Sequence, residues 1–289
     1  MRKHHETGTV GKVTWLGLIA NVILAVFKFL AGIFGNSAAM VADAVHSLSD
    51  VGSDIVVLIG LRIAAEPEDD SHPYGHGKVE TSATVLVGAI LIAAGGLIFW
   101  EGFLGIYQDI HKQPGWLALA AAAVSIVVKE VLYRVTLHAG RREKKPSVVA
   151  NAWHHRSDAL SSVAALVGVG GEMLGVMHLD CLAAMAVALF VVRTGLVIAW
   201  DAYKDLIDTA VGVRLQRKIA ELVDDTPGVL AHHKLRTRKV GAAIFVDLHI
   251  EVDESLNIRA AHDIADRVEH ALIEILEVDD VTVHIDVHD

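Results

Sequence analysis

The segment Val13–Phe34 reads VTWLGLIANVILAVFKFLAGIF, and Lys28 is its only charged residue. A helix needs about 20 apolar residues to cross the hydrocarbon core of a bilayer. Five further apolar segments of that length follow along the chain: Ala38–Ala64, Val79–Gly105, Trp116–Leu137, Val148–Val176 and Leu179–Trp200. The sequence therefore predicts a bundle of six transmembrane helices within residues 1–208, with both termini on one side of the membrane.

The composition of the whole chain agrees with this prediction. Of its 289 residues, 53% are hydrophobic, and the mean hydropathy is +0.45. Such values disfavour a water-soluble globule. The single cysteine, Cys181, excludes a disulfide framework and a cysteine-rich metal site.

Basic residues near the ends of the predicted helices set the expected orientation. Lys112 alone lies on one side, and the other side carries Arg2, Lys3, Lys12, Lys78, Arg141, Arg142, Lys144, Lys145 and Lys204. Because the Lys- and Arg-rich side is normally cytoplasmic, we predict a multi-pass membrane protein with cytoplasmic N- and C-termini.

Residues 209–289 have a different character. They contain nine basic and sixteen acidic residues, a net charge of −7 out of the chain's −10, which disfavours binding to nucleic acid and suits the collection of cations. Their pattern predicts a cytoplasmic α+β domain of ferredoxin-like type, in the order αββαβ. Its elements are expected near Arg214–Asp225, Ala231–Val240, Ala243–Val252, Ile258–Leu276 and Val281–Val287.

Two His-x-x-x-Asp pairs lie inside the predicted membrane helices. His46 and Asp50 occur in AVHSLSD, and His154 and Asp158 in NAWHHRSDAL. Four residues apart on a helix, the two side chains of a pair share one face. One pair alone equally fits a hydrogen bond between helices or a side chain reaching for the surface. Two pairs supply two imidazoles and two carboxylates, the ligand count of a tetrahedral transition-metal ion, and such a role would explain an insertion cost of about 2.5–3.5 kcal/mol per charged residue.

The other polar residues of the predicted spans receive structural interpretations. His155 points about 100° away from its neighbouring histidine on a helix, so we interpret it as a non-ligand. We interpret Asp43 as the lining of a water-filled vestibule. Lys28 is expected to pack or to reach toward the membrane surface along its apolar stem, and Glu130 to pair with Lys129.

A second metal-binding pattern lies in the loop DDSHPYGHGK. Asp69, His72 and His76 fall within eight residues, and the glycines around His76 free the backbone to fold them around one ion. Three ligands leave an open position, so we expect weaker binding than in the membrane. A polar turn between two helices would have a similar composition.

A third pattern lies in the C-terminal domain. Period-two alternation puts His249 on one strand and His284 with Asp286 on another, all facing away from the apolar side. With His233 and His262 nearby, the pattern predicts a surface metal cluster. A sheet face that is exposed to solvent and binds no metal would show a similar alternation of polar residues.

Several motifs in order resemble the cation diffusion facilitator family, whose bacterial members are proton-coupled exporters of zinc, ferrous iron and related divalent ions. The motifs are VADAVHSLSD, HPYGHGKVE, NAWHHRSDALSS and HLDCLAAMAVA, and the resemblance covers nearly the whole chain. It implies a transport site on His46, Asp50, His154 and Asp158. It implies a loop site on Asp69, His72 and His76, and a site at the cytoplasmic dimer interface on His233, His249, His262, His284 and Asp286.

The resemblance also implies a homodimer in the bacterial inner membrane, in contact with lipid. Lys78 and Asp208 match a pair that holds the protomers together. Some members have Asp in place of His46, and the histidine form resembles the zinc-preferring branch. Similarity to the magnetosome members keeps iron and manganese open as substrates.

The sequence thus predicts a transporter, not an enzyme, that exports a divalent cation, zinc before iron(II), manganese or cadmium, in exchange for protons. The metal is also expected to act as a regulatory ligand of the C-terminal domain. A membrane-embedded sensor or receptor that binds its metal without moving it is the main alternative, and a passive channel is another. An intramembrane metalloenzyme is disfavoured because four protein ligands leave no open position for a reacting water.

Overall fold

The computed structural model describes residues 9–64, 66, 69–110, 113–142, 146–241 and 243–288. Six long helices occupy its first 206 residues. They are α1 (Thr9–Phe34), α2 (Ala38–Ala64), α3 (Gly77–Tyr107), α4 (Trp116–Arg142), α5 (Pro146–Met173) and α6 (Leu179–Leu206). Each coincides with one predicted span, with differences only at the ends.

Most of these helices extend beyond the apolar segments that predicted them. α4 continues past Leu137 to Arg142, and α6 continues past Trp200 to Leu206, because polar residues can prolong a helix outside the hydrocarbon region. α5 ends early, at Met173, because the chain turns at Gly175, whose φ of +93° is readily adopted only by glycine.

Four of the helices are long and apolar enough, among the described residues, to cross a membrane: α1 from Trp15, α3, α4 and α6. The protein is therefore a multi-pass membrane protein. α2 and α5 are not in that set, and they carry the ionisable residues of both His-x-x-x-Asp pairs. The count of six spans stays a prediction.

Small residues let the membrane helices pack closely, as is common in bilayers. Ala118, Ala121 and Ala122 of α4 are fully buried against α1 and α5. Gly95 of α3 faces α6 so closely that an added Cβ would lie 2.7 Å from the Val192 side chain. These contacts fix how the helices are rotated toward one another.

A carboxylate of α6 caps the start of α2. Asp180 accepts hydrogen bonds from the Ser37 hydroxyl and the Ala38 N–H, each at 2.6 Å. The first N–H groups of a helix have no partner within the helix, so this contact satisfies them from a neighbouring helix. It fixes the starting point of the helix that carries His46 and Asp50.

The C-terminal domain consists of α7 (Val213–Asp224), β1 (Ala231–Val240), β2 (Ala243–Val252), α8 (Ile258–Leu276) and β3 (Asp280–Val287). The sheet order is β1-β2-β3, with β1 and β2 antiparallel and β2 and β3 parallel. The expected αββαβ order is observed. Apolar residues of both helices and of one sheet face form a single core, which includes Ile219, Val268 and Leu248, so the opposite sheet face is left for polar side chains.

The chain divides into two compact units. One comprises Met1–Ile55 with Val87–Val197, and the other comprises Val56–Leu86 with Ile198–Asp289. The division expected at residue 208 stays a prediction. Five basic residues used to predict orientation lie outside the described residues: Arg2, Lys3, Lys112, Lys144 and Lys145.

Candidate metal centre

Helices α2 and α5 bring three of the four predicted transport ligands together. One ligand atom from each of His46, Asp50 and Asp158 lies within 4.8 Å of the other two. His46 and Asp158 are almost fully buried, with 3% and 2% of their surface exposed. The spacing of four residues on α2 and the packing of α5 beside it are therefore sufficient to form a compact group of donors.

The fourth predicted ligand, His154, lies at the edge of this group. Its Nε2 is 3.9 Å from Asp50 Oδ1 and 3.7 Å from Asp158 Oδ1, and half of its side chain is exposed. These separations are too long for hydrogen bonds. Ligand atoms about 2 Å from one zinc ion would lie roughly 3.3 Å from each other, so a small inward movement of the ring would complete a four-ligand set.

The group contains polar atoms with no internal partner. Among the residues that the structure describes, neither ring nitrogen of His46 nor Oδ2 of Asp50 has a hydrogen-bond partner, although all three atoms are buried. Buried polar atoms are nearly always satisfied in folded proteins. Because these three unsatisfied atoms lie in the same group of residues, they indicate a binding site for a ligand.

Lys129 of α4 contacts Asp158, one member of the group. Its Nζ lies 2.7 Å from Asp158 Oδ2 and 3.0 Å from Asn21 Oδ1 of α1. The predicted pair of Lys129 with Glu130 is wrong, because Glu130 instead accepts from Arg134 at 2.7 Å. Consecutive residues point about 100° apart on a helix, which separates the two side chains.

A second buried ion pair lies next to the group. Lys28 is fully buried, with Nζ 2.8 Å from Asp43 Oδ2, and it donates to the hydroxyls of Ser47 and Ser162. The interpretation of Lys28 as a residue that packs agrees with its burial, whereas its alternative, a side chain that reaches toward the surface, is wrong. The interpretation of Asp43 as a vestibule lining is also wrong, because Asp43 is fully buried. A buried ion pair needs hydrogen bonds within the protein for its remaining polar atoms, and this one has them across α1, α2 and α5.

His155 is also buried, with 3% of its surface exposed. It does not belong to the compact group of His46, Asp50 and Asp158. Its interpretation as a neighbour of the site is untested and stays a prediction.

The loop residues Asp69, His72 and His76 form a second compact group, again with one ligand atom of each within 4.8 Å of the others. His72 Nδ1 lies 3.1 Å and His76 Nε2 3.4 Å from Asp69. Gly75, with φ of +74°, makes the turn that brings the second histidine back.

The Asp69 carboxylate should resist protonation. The Ser71 hydroxyl, followed by backbone N–H groups of His72 and Ser71, donates to it and holds its pKa well below the usual range. Because the Asp69 pKa is lower in the folded chain than in the unfolded chain, ionised Asp69 stabilises the folded loop at any pH above the unfolded-state pKa. This stabilisation is lost as the pH falls through the folded-state pKa of Asp69. We expect Asp69 to stay ionised at pH ~3.9, where an ordinary aspartate is half protonated.

Carbon-13 NMR of labelled aspartate carboxyls in the full chain would measure this. Ser71→Ala should raise the Asp69 pKa toward its ordinary value, and Ser255→Ala, which alters a similar turn around Asp253, is the matched control and should leave Asp69 unchanged. An Asp69 signal that titrates normally in the unsubstituted chain would contradict the expectation.

In the C-terminal domain, strand register lines up three histidines. His233 pairs with His249 across β1 and β2, and His249 with His284 across β2 and β3. Asp286 joins them, with Oδ2 3.1 Å from His233 Nε2 and 2.8 Å from His249 Nδ1, and with Oδ1 3.2 Å from His284 Nε2. These four predicted residues share the sheet face that the helices leave open.

His262, the fifth residue predicted for this site, lies elsewhere in the single chain. It is exposed on α8, with Nε2 3.5 Å from Asp266. A role at an interface between two chains stays a prediction.

Two residues of the sheet face were not predicted. Glu251 Oε1 lies 3.0 Å from His233 Nδ1, and its Oε2 lies 2.6 Å from His288 Nδ1. Hydrogen bonds from these histidines, His288 first, hold the Glu251 pKa below its usual range. The alternation that selected His249 also places Glu251 on this face, so the signal was present in the sequence.

The remaining predicted pair is formed within the chain. Lys78 Nζ lies 3.1 Å from Asp208 Oδ1, and about half of each side chain is exposed. A half-exposed ion pair contributes about 0–1 kcal/mol, and its expected role between protomers stays a prediction.

Comparison with known proteins shows the family of this chain. Residues 14–207 match the family described as the cation efflux transmembrane domain. The chain belongs to the cation diffusion facilitator family. Residues 214–288 match a second description, the cytoplasmic domain of cation efflux proteins. The protein is therefore a metal-cation efflux transporter of the cation diffusion facilitator family, as its motifs predicted.

Three of the curated relatives come from two plants and a bacterium. Metal tolerance protein 2 of Oryza sativa is 39% identical over 89% of this chain and 73% of its own length. Metal tolerance protein C1 of Arabidopsis thaliana is 37% identical over 99% of this chain, which spans 64% of that relative. Magnetosome protein MamB of Paramagnetospirillum magneticum is 30% identical over 91% of this chain and 89% of its own length.

Proposed function

We propose that this protein exports divalent transition-metal cations, zinc first, in exchange for protons, through a site formed by His46, Asp50, His154 and Asp158. The observation that carries the proposal is the buried group of His46, Asp50 and Asp158, whose ligand atoms lie within 4.8 Å of one another and include three unsatisfied polar atoms. Imidazole and carboxylate donors together suit zinc.

Proton exchange follows from the histidines. An imidazole has an ordinary pKa of about 6.5, and metal and proton compete for the same ring nitrogen. On the cytoplasmic side the metal displaces protons from His46 and His154. After a change of access, protons return to the rings and release the metal.

The proposed assembly is a homodimer with six spans per chain in the inner membrane and with both termini in the cytoplasm. The C-terminal domain would act as a sensor. His233, His249, His284 and Asp286, with His262 of the same or the other chain, would hold regulatory metal. That metal would reduce the repulsion between two acidic domains, and Lys78 with Asp208 would help to hold the protomers.

Sealed inverted vesicles with an acidic lumen test the transport proposal. We expect zinc to accumulate inside, the lumen to lose protons as it does, and a protonophore to stop both. Uptake of iron(II), manganese and cadmium measured side by side with zinc would rank the substrates. Zinc that binds without accumulating would instead support a membrane-embedded sensor.

The sensor proposal predicts a role for Glu251. A carboxylate that accepts from one ring nitrogen of a metal-binding histidine fixes its tautomer, and loss of such a partner typically costs about 10–100-fold in metal affinity. Glu251→Gln should therefore weaken zinc binding by the C-terminal domain by about that factor. Glu254→Gln, at an exposed acid three residues on, is the matched control.

Isothermal titration of the full chain carrying Asp50→Asn and His72→Ala, which weaken the membrane and loop sites, isolates this affinity. Equal zinc affinity with Glu251 and with Gln at that position would contradict the role.

A further inference from the structure

We infer that Lys129 is a tethered cation that competes with the transported metal for Asp158. This inference rests on the proposed function of the site. It concerns a residue that lies on neither helix bearing the His-x-x-x-Asp pairs, and it explains how a tight site can also release its cargo.

The first argument is the contact itself. Lys129 is 1% exposed, and its ammonium group lies 2.7 Å from the Asp158 carboxylate, a proposed metal ligand. A charged hydrogen bond of this length is strong. A divalent cation that binds Asp158 must share or displace it.

The second argument comes from the other buried lysine. Lys28 has a partner for each of its three N–H groups, in Asp43, Ser47 and Ser162, and none of these is a proposed ligand. Lys28 therefore has the contacts of a structural ion pair. Lys129 instead contacts a ligand carboxylate, with Asn21 Oδ1 at 3.0 Å as a second acceptor to which the ammonium can move.

The third argument is charge balance. Without metal, Asp50 and Asp158 would place two carboxylates close together in a low-dielectric region, which is costly. The Lys129 ammonium offsets part of this charge. When a divalent cation binds, its own charge balances the two carboxylates, and the nearby Lys129 ammonium then repels the cation. Lys129 thus stabilises the empty site and weakens the filled one.

The test uses a single-site background, defined as the full chain with His72→Ala and His249→Ala, so that the membrane site is the tightest one left. In this background Lys129→Met, which keeps the side-chain length, should bind zinc at least about tenfold more tightly, because a repelling unit charge is removed. Lys129→Arg should stay close to the background value. In vesicles, Lys129→Met should lower both KM and the maximal rate.

Arg156→Met is the matched control. Arg156 lies on α5, two residues from Asp158; among the described residues, its guanidinium stacks on Tyr133 and donates a hydrogen bond to the Tyr133 hydroxyl. Its loss should leave the zinc affinity unchanged. An equal tightening in Arg156→Met would show a general charge effect and overturn the specific role of Lys129.

Unchanged or weaker zinc binding in Lys129→Met would overturn the inference, because a lysine that only orients Asp158 would weaken binding when removed. If the variant is unstable without metal, recovery of its thermal stability by zinc supports the inference, and misfolding even in zinc overturns it. Asp50→Asn distinguishes failure of the proposed metal site from failure of the role of Lys129. If Asp50→Asn leaves the zinc affinity unchanged, the proposed site itself is wrong, whatever the result for Lys129.

Discussion

Replacing Asp50 by asparagine should abolish metal binding at the membrane site while the protein stays folded. Asp50 Oδ2 has no hydrogen-bond partner among the described residues, and Asp50 Oδ1 lies 3.9 Å from His154 Nε2, too far for a hydrogen bond. Asparagine keeps the shape and removes a charge from a buried position, so the free energy of unfolding without metal should not fall. Loss of a residue that only hydrogen-bonds to a metal ligand lowers metal affinity by about 10–100-fold. Loss of a residue that binds the metal directly should lower zinc affinity by at least the upper end of that range.

Competition with a zinc chelator, in the single-site background, measures this affinity. Asp205→Asn is a suitable control, because it removes the same charge outside the proposed site. Zinc affinity within a few-fold of the background value in Asp50→Asn would exclude Asp50 as a ligand.

Replacing Lys28 by methionine should lower stability strongly. Breaking one side of a buried ion pair typically costs about 3–5 kcal/mol, because the remaining charge is left unpaired. Here the loss would leave the Asp43 carboxylate buried, with the Ser161 and Ser162 hydroxyls as its donors among the described residues. We expect the free energy of unfolding in mixed micelles to fall by an amount in that range.

The double variant Lys28→Met with Asp43→Asn should recover much of this loss. Asparagine can still accept from the serines, and no charge is left buried, so the two substitutions should couple strongly. Lys204→Met, which removes an exposed lysine paired with Asp201, is the control and should change stability by less than about 1 kcal/mol. A Lys28→Met variant as stable as this control would show that the buried pair contributes little.

The helices and strands could be predicted because their signals are local. Apolar length marks the membrane helices, and period-two alternation marks β2, where Val246, Leu248 and Ile250 are buried. The repeated spacing of His46 with Asp50 and of His154 with Asp158 also predicted which side chains lie near one another, and three of these four form one compact group. In the C-terminal domain, alternation predicted which face His249, His284 and Asp286 would share.

The partners of the buried lysines could not be predicted in this way. Lys28 bonds to Ser162, 134 residues away, and Lys129 bonds to Asn21, 108 residues away. Such contacts depend on how α1, α4 and α5 are rotated when they pack, and the small residues at their interfaces decide that rotation. One signal was available: a charge inside a membrane helix usually has a partner in the bundle, and the six predicted spans contain nine acidic residues that could pair with the two lysines.

His46 is the position at which the sequence points to zinc. Carboxylates suit harder ions, whereas imidazole suits zinc and its neighbours. We expect His46→Asp to shift the uptake preference from zinc toward manganese, measured as the ratio of the two initial rates in the vesicle assay. An unchanged ratio would show that the other ligands set the preference.

Zinc flux into sealed vesicles under an imposed proton gradient, compared between the unsubstituted chain and Asp50→Asn, tests the central claim most directly. The unsubstituted chain should accumulate zinc, because its membrane site is intact. Asp50→Asn, folded and inserted equally well, should show only the leak of protein-free vesicles. Zinc accumulation by Asp50→Asn at the rate of the unsubstituted chain would contradict the proposal that the cation passes through the group of His46, Asp50, His154 and Asp158.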